Sequence, residues 1–385
     1  MPERTVIGWD IGGAHAKACL LQGGEVLDVA QWPCALWMGM DRLDAVLQAA
    51  RQRWAGLAEA QHAVTMTGEM VDLFADREDG VRKIAAELAR ALPAPDPPRL
   101  GGGPGAVHFF AGDAGWCRDA EVPALWNSIA SANWLATARH AAQCVGTGLL
   151  MDIGSTTTDL IAFRNGRVLT HSRTDAQRLA SGELVYHGVV RTPLCAVAQR
   201  IDWLGTPHNV MNELFATTAD VYRLTGELNP AHDLHPSADN ADKELDATRQ
   251  RLARMIGLDR RDGSPGEWLD FARSWRAVQV GVLGGEMRRV METHELAHDA
   301  VIVSAGCGDF LVRDVVASAR AGTPQPWTAD RHVAYGRDVV RARTQAGTGR
   351  AAVQDWAQVC APCVAVATLF DMDPSVCGSS RSAAA

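Results

Sequence analysis

The segment GLLMDIGSTTTD, residues 148–159, decides how the rest of the chain is read. An apolar run ends in Asp152, turns on Gly154 and resumes after small hydroxyl residues. The same order stands near the start as VIGWDIGGAHAK, residues 6–17, with Asp10 and Gly12 in matching places. A strand that ends in Asp and turns on Gly has a physical use. Glycine permits positive φ and carries no Cβ, so backbone amides can come close to an anion. Gly12, Gly13, Ala14 and His15 in one turn, and Gly154, Ser155, Thr156 and Thr157 in the other, leave room for phosphate oxygens and supply donors. An Asp at each strand end offers a hard oxygen to Mg²⁺, commonly through water. Either turn alone reads as ordinary turn chemistry. Two copies in matching contexts predict a clamp on a Mg-diphosphate, with Asp10 and Asp152 as the metal ligands.

Working outward, each copy opens a three-stranded meander. The first comprises strands at Val6–Trp9, Ala16–Leu21 and Glu25–Gln31, and the second those at Leu149–Asp152, Thr157–Phe163 and Val168–Ser172. Asn165-Gly166 is a hairpin signal. Helical spacing covers Met40–Ala58, Gly80–Leu92 and Ser128–Gln143, with strands at His62–Met66 and Val107–Ala111 between them. Pro93–Gly105 is a surface loop. Residues 207–291 are mostly helical, broken by a polar loop at Asn229–Asp242. A third apolar strand, within DAVIVSAGCGDFLV (residues 299–312), carries Gly306 and Gly308. A helix covers Val353–Phe370. The expected architecture is α/β: a first domain over 1–145, completed by the helix at 351–370, and a second over 146–350. Residues 371–385 are expected to be a disordered tail, most clearly at Ser379–Ala385.

The 385 residues suffice for two packed domains, and 47% apolar with 21% charged residues is ordinary for a globular chain. A net charge of −8 disfavours nucleic acid as a partner. The absence of a leader-like start and of a membrane-length apolar run predicts a cytoplasmic protein without a membrane partner. The nine cysteines form no spaced framework, so reduced thiols are expected, and Cys360-Ala-Pro-Cys363 reads as core packing rather than a redox or metal pair. Basic residues are nearly all Arg. The lysines are Lys17, Lys83 and Lys243, so Lys17 beside the first turn is singled out as a point charge for a diphosphate; an exposed strand lysine is the plainer reading.

The three Gly-bearing segments resemble the phosphate-1, phosphate-2 and adenosine motifs of the actin/Hsp70/sugar-kinase superfamily, and DIGSTTTD is most similar to its hydantoinase/oxoprolinase branch. The resemblance implies two similar actin-like (ribonuclease-H-like) domains facing a cleft, with a mostly helical insertion in the second. MTGEMVDLF (66–74), SANWLATA (131–138), GELVYHGVVRTPL (182–194) and RLARMIGLD (251–259) resemble proteins of the tetrahydromethanopterin-linked one-carbon pathway and the archaeal methanofuran-biosynthesis synthases. What that implies is an Mg-dependent transferase. It would join an aminomethylfuran-methyl diphosphate to the phenol of γ-glutamyltyramine, forming an aryl ether and releasing diphosphate. Its partners would be small diphosphate- and phenol-bearing substrates; a homodimer is compatible with the sequence. The run Ala305-Gly306-Cys307-Gly308-Asp309 departs from the Gly-Gly pair usual in nucleotide-binding relatives, which argues against ATP. An ATP-dependent kinase or a hydantoinase/oxoprolinase-type hydrolase is the alternative, and a non-catalytic actin-like scaffold the third reading.

In the leading reading Asp10, Asp152, Lys17 and Asp159 form the catalytic set, and Gly306 and Gly308 join the turns in holding diphosphate. Arg191 grips the diphosphate or a glutamyl carboxylate, with a domain-linking ion pair as its plainer role. Glu69 either holds the amine or caps a helix, and Glu183 is a further substrate-binding candidate. A phenol titrates near pH ~10, so a base is required; His15, His187, Glu183 and Asp159 are candidates. Trp126 and Trp134 are read as core, with a pocket wall as the other option. His294-Glu-Leu-Ala-His298 matches a zinc motif but runs straight into the strand after Asp299, which predicts coincidence.

Overall fold

The computed structural model describes residues 3–92, 106–297, 299–321, 331–343 and 349–376. The loop Pro93–Gly105, His298 and the tail Ser379–Ala385 lie outside the described residues. The chain divides into two units, one of residues 1–146, 164–168 and 334–385, the other of 147–163 and 169–333.

In the first unit, strands β1 (Thr5–Ile11), β2 (His15–Gln22) and β3 (Glu25–Pro33) form an antiparallel meander. Helix α1 (Asp41–Arg53) returns the chain so that β4 (Gln61–Met66) lies parallel to β1. Its apolar face, Leu43, Val46, Leu47 and Ala50, is buried, with acids in its first turn and arginines in its last, as the helix dipole favours. Helix α2 (Arg77–Ala91), capped by Asp76, leads to β5 (Val107–Phe110) and β6 (Trp116–Cys117). The sheet order is β3-β2-β1-β4-β5-β6. Helices α3 (Val122–Ile129) and α4 (Asn133–Val145) follow.

The second unit repeats the scheme. β7 (Gly148–Ile153) and β8 (Thr158–Arg164) are antiparallel, and β9 (Arg167–Val168) pairs with β8. Helix α5 (Asp175–Ser181) leads to β10 (Leu184–Val185) and the single-turn helix α6 (Leu194–Val197). A hairpin of β11 (Arg200–Trp203) and β12 (Thr206–Asn209) follows. Helices α7 (Thr218–Thr225), α8 (Leu245–Arg254) and the 29-residue α9 (Pro265–Thr293) form the helical insertion. Ser264 and Glu267 close a capping box on α9, and Pro265 opens it. Then β13 (Val301–Ala305) runs parallel to β7, α10 (Val312–Arg320) packs on α9, and β14 (His332–Ala334) completes the order β10-β8-β7-β13-β14. A meander whose first strand is continued by parallel strands is the ribonuclease-H-like arrangement, here present in both units. The fold is therefore α/β and actin-like.

Three features depart from the sequence reading. The chain rejoins the first unit at Ala334, not near 350: the buried Tyr335 hydroxyl lies 2.6 Å from His140 Nδ1, and Ala342 forms a parallel bridge with Val26. The helix expected at Val353–Phe370 is two, α11 (Arg350–Val359) and α12 (Ala361–Met372), bent by 101°. Pro362 lacks the N–H that would continue α11 and sits where a new helix tolerates it. Asp371 and Met372 close α12 rather than belonging to a tail. No single helix among the described residues is long and apolar enough to cross a membrane.

Candidate functional site

The two Asp-Ile-Gly turns have the same internal geometry. Gly12 N–H donates to His15 O at 3.0 Å, and Gly154 N–H to Thr157 O at 2.8 Å. The Ile carbonyl before each glycine is held by the loop after the neighbouring parallel strand: Thr67 N–H donates to Ile11 O at 2.9 Å, and Gly308 N–H to Ile153 O at 2.8 Å. Thr67-Gly68 and Gly306-Cys307-Gly308 are thus equivalent supports. A Cβ on Gly68 would stand 3.2 Å from Ile11 O, and one on Gly306, at φ +86°, only 2.6 Å from Asp152 Oδ1. The sequence reading placed Gly306 and Gly308 on the diphosphate; the structure sets them against Asp152 and Ile153.

In the first unit, register places Asp10 opposite Lys17, and Lys17 Nζ stands 3.7 Å from Asp10 Oδ2. Asp10 is buried, and burial raises its pKa against the opposing effects of Lys17 and Asn133. Its Oδ1 has no hydrogen-bond partner. Cys34 and Leu36 N–H tie down the carbonyls of Ala14 and Gly13 at 2.8 and 3.0 Å. Glu69 lies behind this turn with its side chain fully buried. Its Oε1 accepts from Ser131 Oγ at 2.7 Å and lies 3.3 Å from Arg77 Nη2, while Arg77 Nη2 also donates to Ser131 Oγ at 2.8 Å. Ser131 holds this bond at φ +50°, a conformation that costs energy outside glycine. Helix α2 approaches so closely that a Cβ on Gly80 would stand 2.5 Å from Glu69 O. Glu69 thus fixes the turn's support through Oε1, while its Oε2 is buried without a hydrogen-bond partner. Trp134 is buried, as the core reading expects, and Trp126 packs against the core of the sheet.

In the second unit the equivalent register sets Asp152 opposite Asp159. Two acids on one face would repel; the buried Arg178 guanidinium pairs with Asp159 and also reaches Asp175 at 3.6 Å. Asp159, expected as a catalytic base, already has its charge matched there. The segment GELVYHGVVRTPL wraps the Ser155–Thr157 turn. Val189 N–H donates to Gly154 O at 3.1 Å, and Val190 and Arg191 N–H both donate to Ser155 O, at 3.0 and 2.9 Å. This closeness requires Gly188, whose Cβ would stand 2.5 Å from Ser155 O. Arg191 Nη1 lies 3.4 Å from Thr156 Oγ1, and among the described residues Arg191 has no carboxylate partner. Burial lowers its pKa from the usual value.

Glu183 is also fixed. Burial alone would raise its pKa, but bonds from His294 Nε2 (3.0 Å), Thr170 Oγ1 (2.6 Å) and Ser181 Oγ (2.7 Å) outweigh it and hold the carboxyl at about 2. That pairing also disposes of the zinc motif: α9 ends at Thr293, Glu295 has φ +49°, and His294 is spent on Glu183. Among the described residues no cluster of His, Cys, Asp and Glu could hold a metal by itself. His15 lends its backbone carbonyl to the first turn. His187 differs from the other proposed bases. Burial lowers its pKa, one ring nitrogen bonds the backbone at Ala196, and Nδ1 is buried without a partner. Sequence reasoning did not find Arg178, Ser131 and Arg77, whose roles follow from three-dimensional contacts alone.

Cys19, Cys360 and Cys363 are buried, with Cys363 Sγ donating to Cys360 O at 3.1 Å, as core packing expects. Arg251, which opens RLARMIGLD, is fully buried and ties α7, α8 and the loop between them through Asp220 Oδ1 (2.7 Å), Asp239 Oδ1 (3.1 Å) and Thr248 Oγ1 (3.1 Å).

Duplicated ribonuclease-H-like units, each with a strand-end aspartate over a glycine turn, define a protein of the actin-like class. The chain belongs to the hydantoinase/oxoprolinase family, whose model matches residues 61–325. It is similar to the (4-{4-[2-(γ-L-glutamylamino)ethyl]phenoxymethyl}furan-2-yl)methanamine synthase of Methanocaldococcus jannaschii, with 26% identity over 81% of this chain and 88% of that protein. It is also similar to the synthase of the same name from Methanococcus vannielii, with 29% identity over 44% of this chain and 74% of that protein. Among solved structures it is similar to a ROK family glucokinase from Streptomyces griseus in complex with glucose and AMPPNP, at 12% identity, 95% and 98% coverage and a TM-score of 0.43.

Proposed function

We propose that the chain is a transferase of methanofuran-type cofactor biosynthesis. It would condense an aminomethylfuran-methyl diphosphate with γ-glutamyltyramine to form the aryl ether. The observation that carries this is Arg191: a half-buried guanidinium without a carboxylate, laid along a hydroxyl-rich turn, is suited to a phosphate group. The similarity to the Methanocaldococcus jannaschii synthase over 81% of the chain supports the substrate class.

In this reading the phenolic oxygen forms a bond to the furfuryl carbon as the carbon–oxygen bond to diphosphate breaks. The furan oxygen feeds electrons to that carbon, so charge builds chiefly on the departing diphosphate. Arg191 and the hydroxyls of Ser155, Thr156 and Thr157 bind it there. His187 Nδ1 accepts the phenolic proton. The donor set fits Mg²⁺ in the way that ion usually binds, through one or two carboxylates, water and substrate phosphates. Asp152, at the end of the strand before that turn, would hold it; when bound it would supply Lewis-acid stabilisation of the leaving group. Glu69, Arg77, Ser131 and Glu183 position these groups. The test is product analysis with purified protein and both synthetic substrates in the absence of ATP. Ether and pyrophosphate in equal amounts are expected; hydrolysis without ether, or dependence on ATP, would overturn the reading.

A further inference from the structure

The buried face of α9 carries Phe271, Trp275, Gln279, Leu283 and Met287 at every fourth position. The middle residue of this otherwise apolar row is an amide. Gln279 is 1% exposed, and a buried amide costs free energy unless its groups are bonded. Its Oε1 accepts from the Tyr222 hydroxyl at 2.7 Å, and its Nε2 donates to Gly188 O at 2.9 Å. Burial raises the pKa of the Tyr222 phenol, so that group stays a donor and fixes which way the amide faces. Thr218 Oγ1 donates to the same Gly188 carbonyl at 2.9 Å, and the Thr218 N–H donates to Thr192 O at 2.9 Å. Ala219 N–H donates to Val190 O at 3.3 Å. The strip 188–192 is therefore held from two sides. Its N–H groups at 189, 190 and 191 donate to the carbonyls of Gly154 and Ser155, and its carbonyls at 188, 190 and 192 accept from α7 and α9.

Replacing both members of a buried hydrogen-bonded pair by apolar groups of the same shape changes stability little. What the Tyr222–Gln279 pair supplies is direction: it aims one N–H at one carbonyl, 91 residues away in the chain. That carbonyl belongs to the residue whose missing Cβ lets the strip approach Ser155. We infer that Gln279 and Thr218 are positioning residues for anion binding: by fixing the Gly188 carbonyl they hold the strip that lays Arg191 beside Thr156. This rests on the functional reading above and adds to it that the helical insertion sets the geometry of the turn's cation. Neither side chain touches the anion; each acts through the backbone of Gly188.

Gln279→Glu tests it. The variant keeps the acceptor for Tyr222 and puts an oxygen where the amide N–H faced Gly188 O. Protonated, that oxygen donates and the bond survives; ionised, it repels the carbonyl. Burial raises the pKa of the introduced carboxyl; of the charged groups that act on Tyr222, Glu227 adds to this and Arg276 opposes it, and those two pair with each other at 2.7 Å. Calorimetric titration of the full chain with Mg-pyrophosphate at pH 5.5 and 8.5 gives the ratio of variant to wild-type Kd, in which the titration of pyrophosphate itself cancels. The ratio is expected within about threefold at pH 5.5 and at about tenfold or more at pH 8.5. Tyr222→Phe, which removes one hydroxyl at nearly constant shape, should weaken binding by about threefold at both. A ratio that stays near one at both pH values overturns the inference and leaves the diphosphate reading standing. An equal loss at both overturns it too, because general damage to the core does not follow the proton. Where Gln279→Glu fails to fold, Tyr222→Phe decides, and an unchanged Kd there overturns the inference. A wild type that does not bind pyrophosphate removes the functional reading and this inference with it.

Discussion

Arg191 and His187 stand close in the chain but differ in what they offer. Arg191 brings a charge without a counter-ion, so Arg191→Ala is expected to weaken Mg-pyrophosphate binding by about tenfold or more, and Arg191→Lys by less, because lysine keeps the charge and loses the fork. Calorimetry reads both; an unchanged Kd for the alanine variant would remove Arg191 from the site. His187 brings a neutral ring with Nδ1 unpartnered. His187→Gln should lower kcat by about 10²–10⁴ with pyrophosphate affinity preserved. A retained kcat would return the search for the base to the start. The carboxylates show why a sequence cannot assign such roles. Glu69, Asp159 and Glu183 are all acids within motifs, yet each is held by a partner distant in sequence: Ser131, Arg178 and His294.

At the scale of elements, the twin turns were legible because strand, acid and glycine repeat in order, and their backbone bonds repeat with them. The third glycine segment was legible as a strand end but not as a support, since its contact with Asp152 depends on parallel pairing of β13 with β7. The bend between α11 and α12 was readable from Pro362 and was overridden by the helix-like apolar run around it. The β11–β12 hairpin was hidden by its exposed, proline-bearing second strand. Two substitutions examine how these elements hold the site. Gly188→Ala forces a methyl onto the Ser155 carbonyl, which is backbone and cannot swing aside. It should cost about 1–3 kcal/mol by overpacking and abolish pyrophosphate binding; a fully stable variant with normal binding would contradict the wrapped-turn geometry. Arg251→Ala leaves the buried Asp220 with Arg223, at 2.7 Å, as its remaining cation and removes the bonds to Asp239 and Thr248, so about 1–3 kcal/mol of stability should be lost. Denaturant unfolding would show whether the helical insertion depends on that network.

Across the whole molecule, acid sensitivity should enter through buried histidines, among them three of the first unit. Burial holds His62 at about 3, and His108 and His140 at about 4. Their folded pKa values lie below the unfolded value of about 6.5, so the unfolded chain binds more protons between those limits. Their stabilising contribution is complete above pH ~6.5 and declines as pH falls toward the folded values, by up to ~1.4 kcal/mol per pH unit for each histidine. Urea midpoints at pH 7.5 and 5.5 read this; equal midpoints would contradict the burial assigned to these rings. Glu183, held at about 2, stays ionised throughout that range.

The central claim is that a duplicated phosphate-type fold here serves carbon–oxygen bond formation on a diphosphate substrate rather than nucleotide hydrolysis. Its most direct measurement is mass-spectrometric product analysis of wild type and Asp152→Asn with aminomethylfuran-methyl diphosphate, γ-glutamyltyramine and Mg²⁺, with and without ATP. The account predicts ether and pyrophosphate from the wild type at the same rate whether or not ATP is present, and at least a hundredfold less from the variant, the scale set by losing several kcal/mol of leaving-group stabilisation. Ether formation only with ATP, accompanied by ADP, would contradict it.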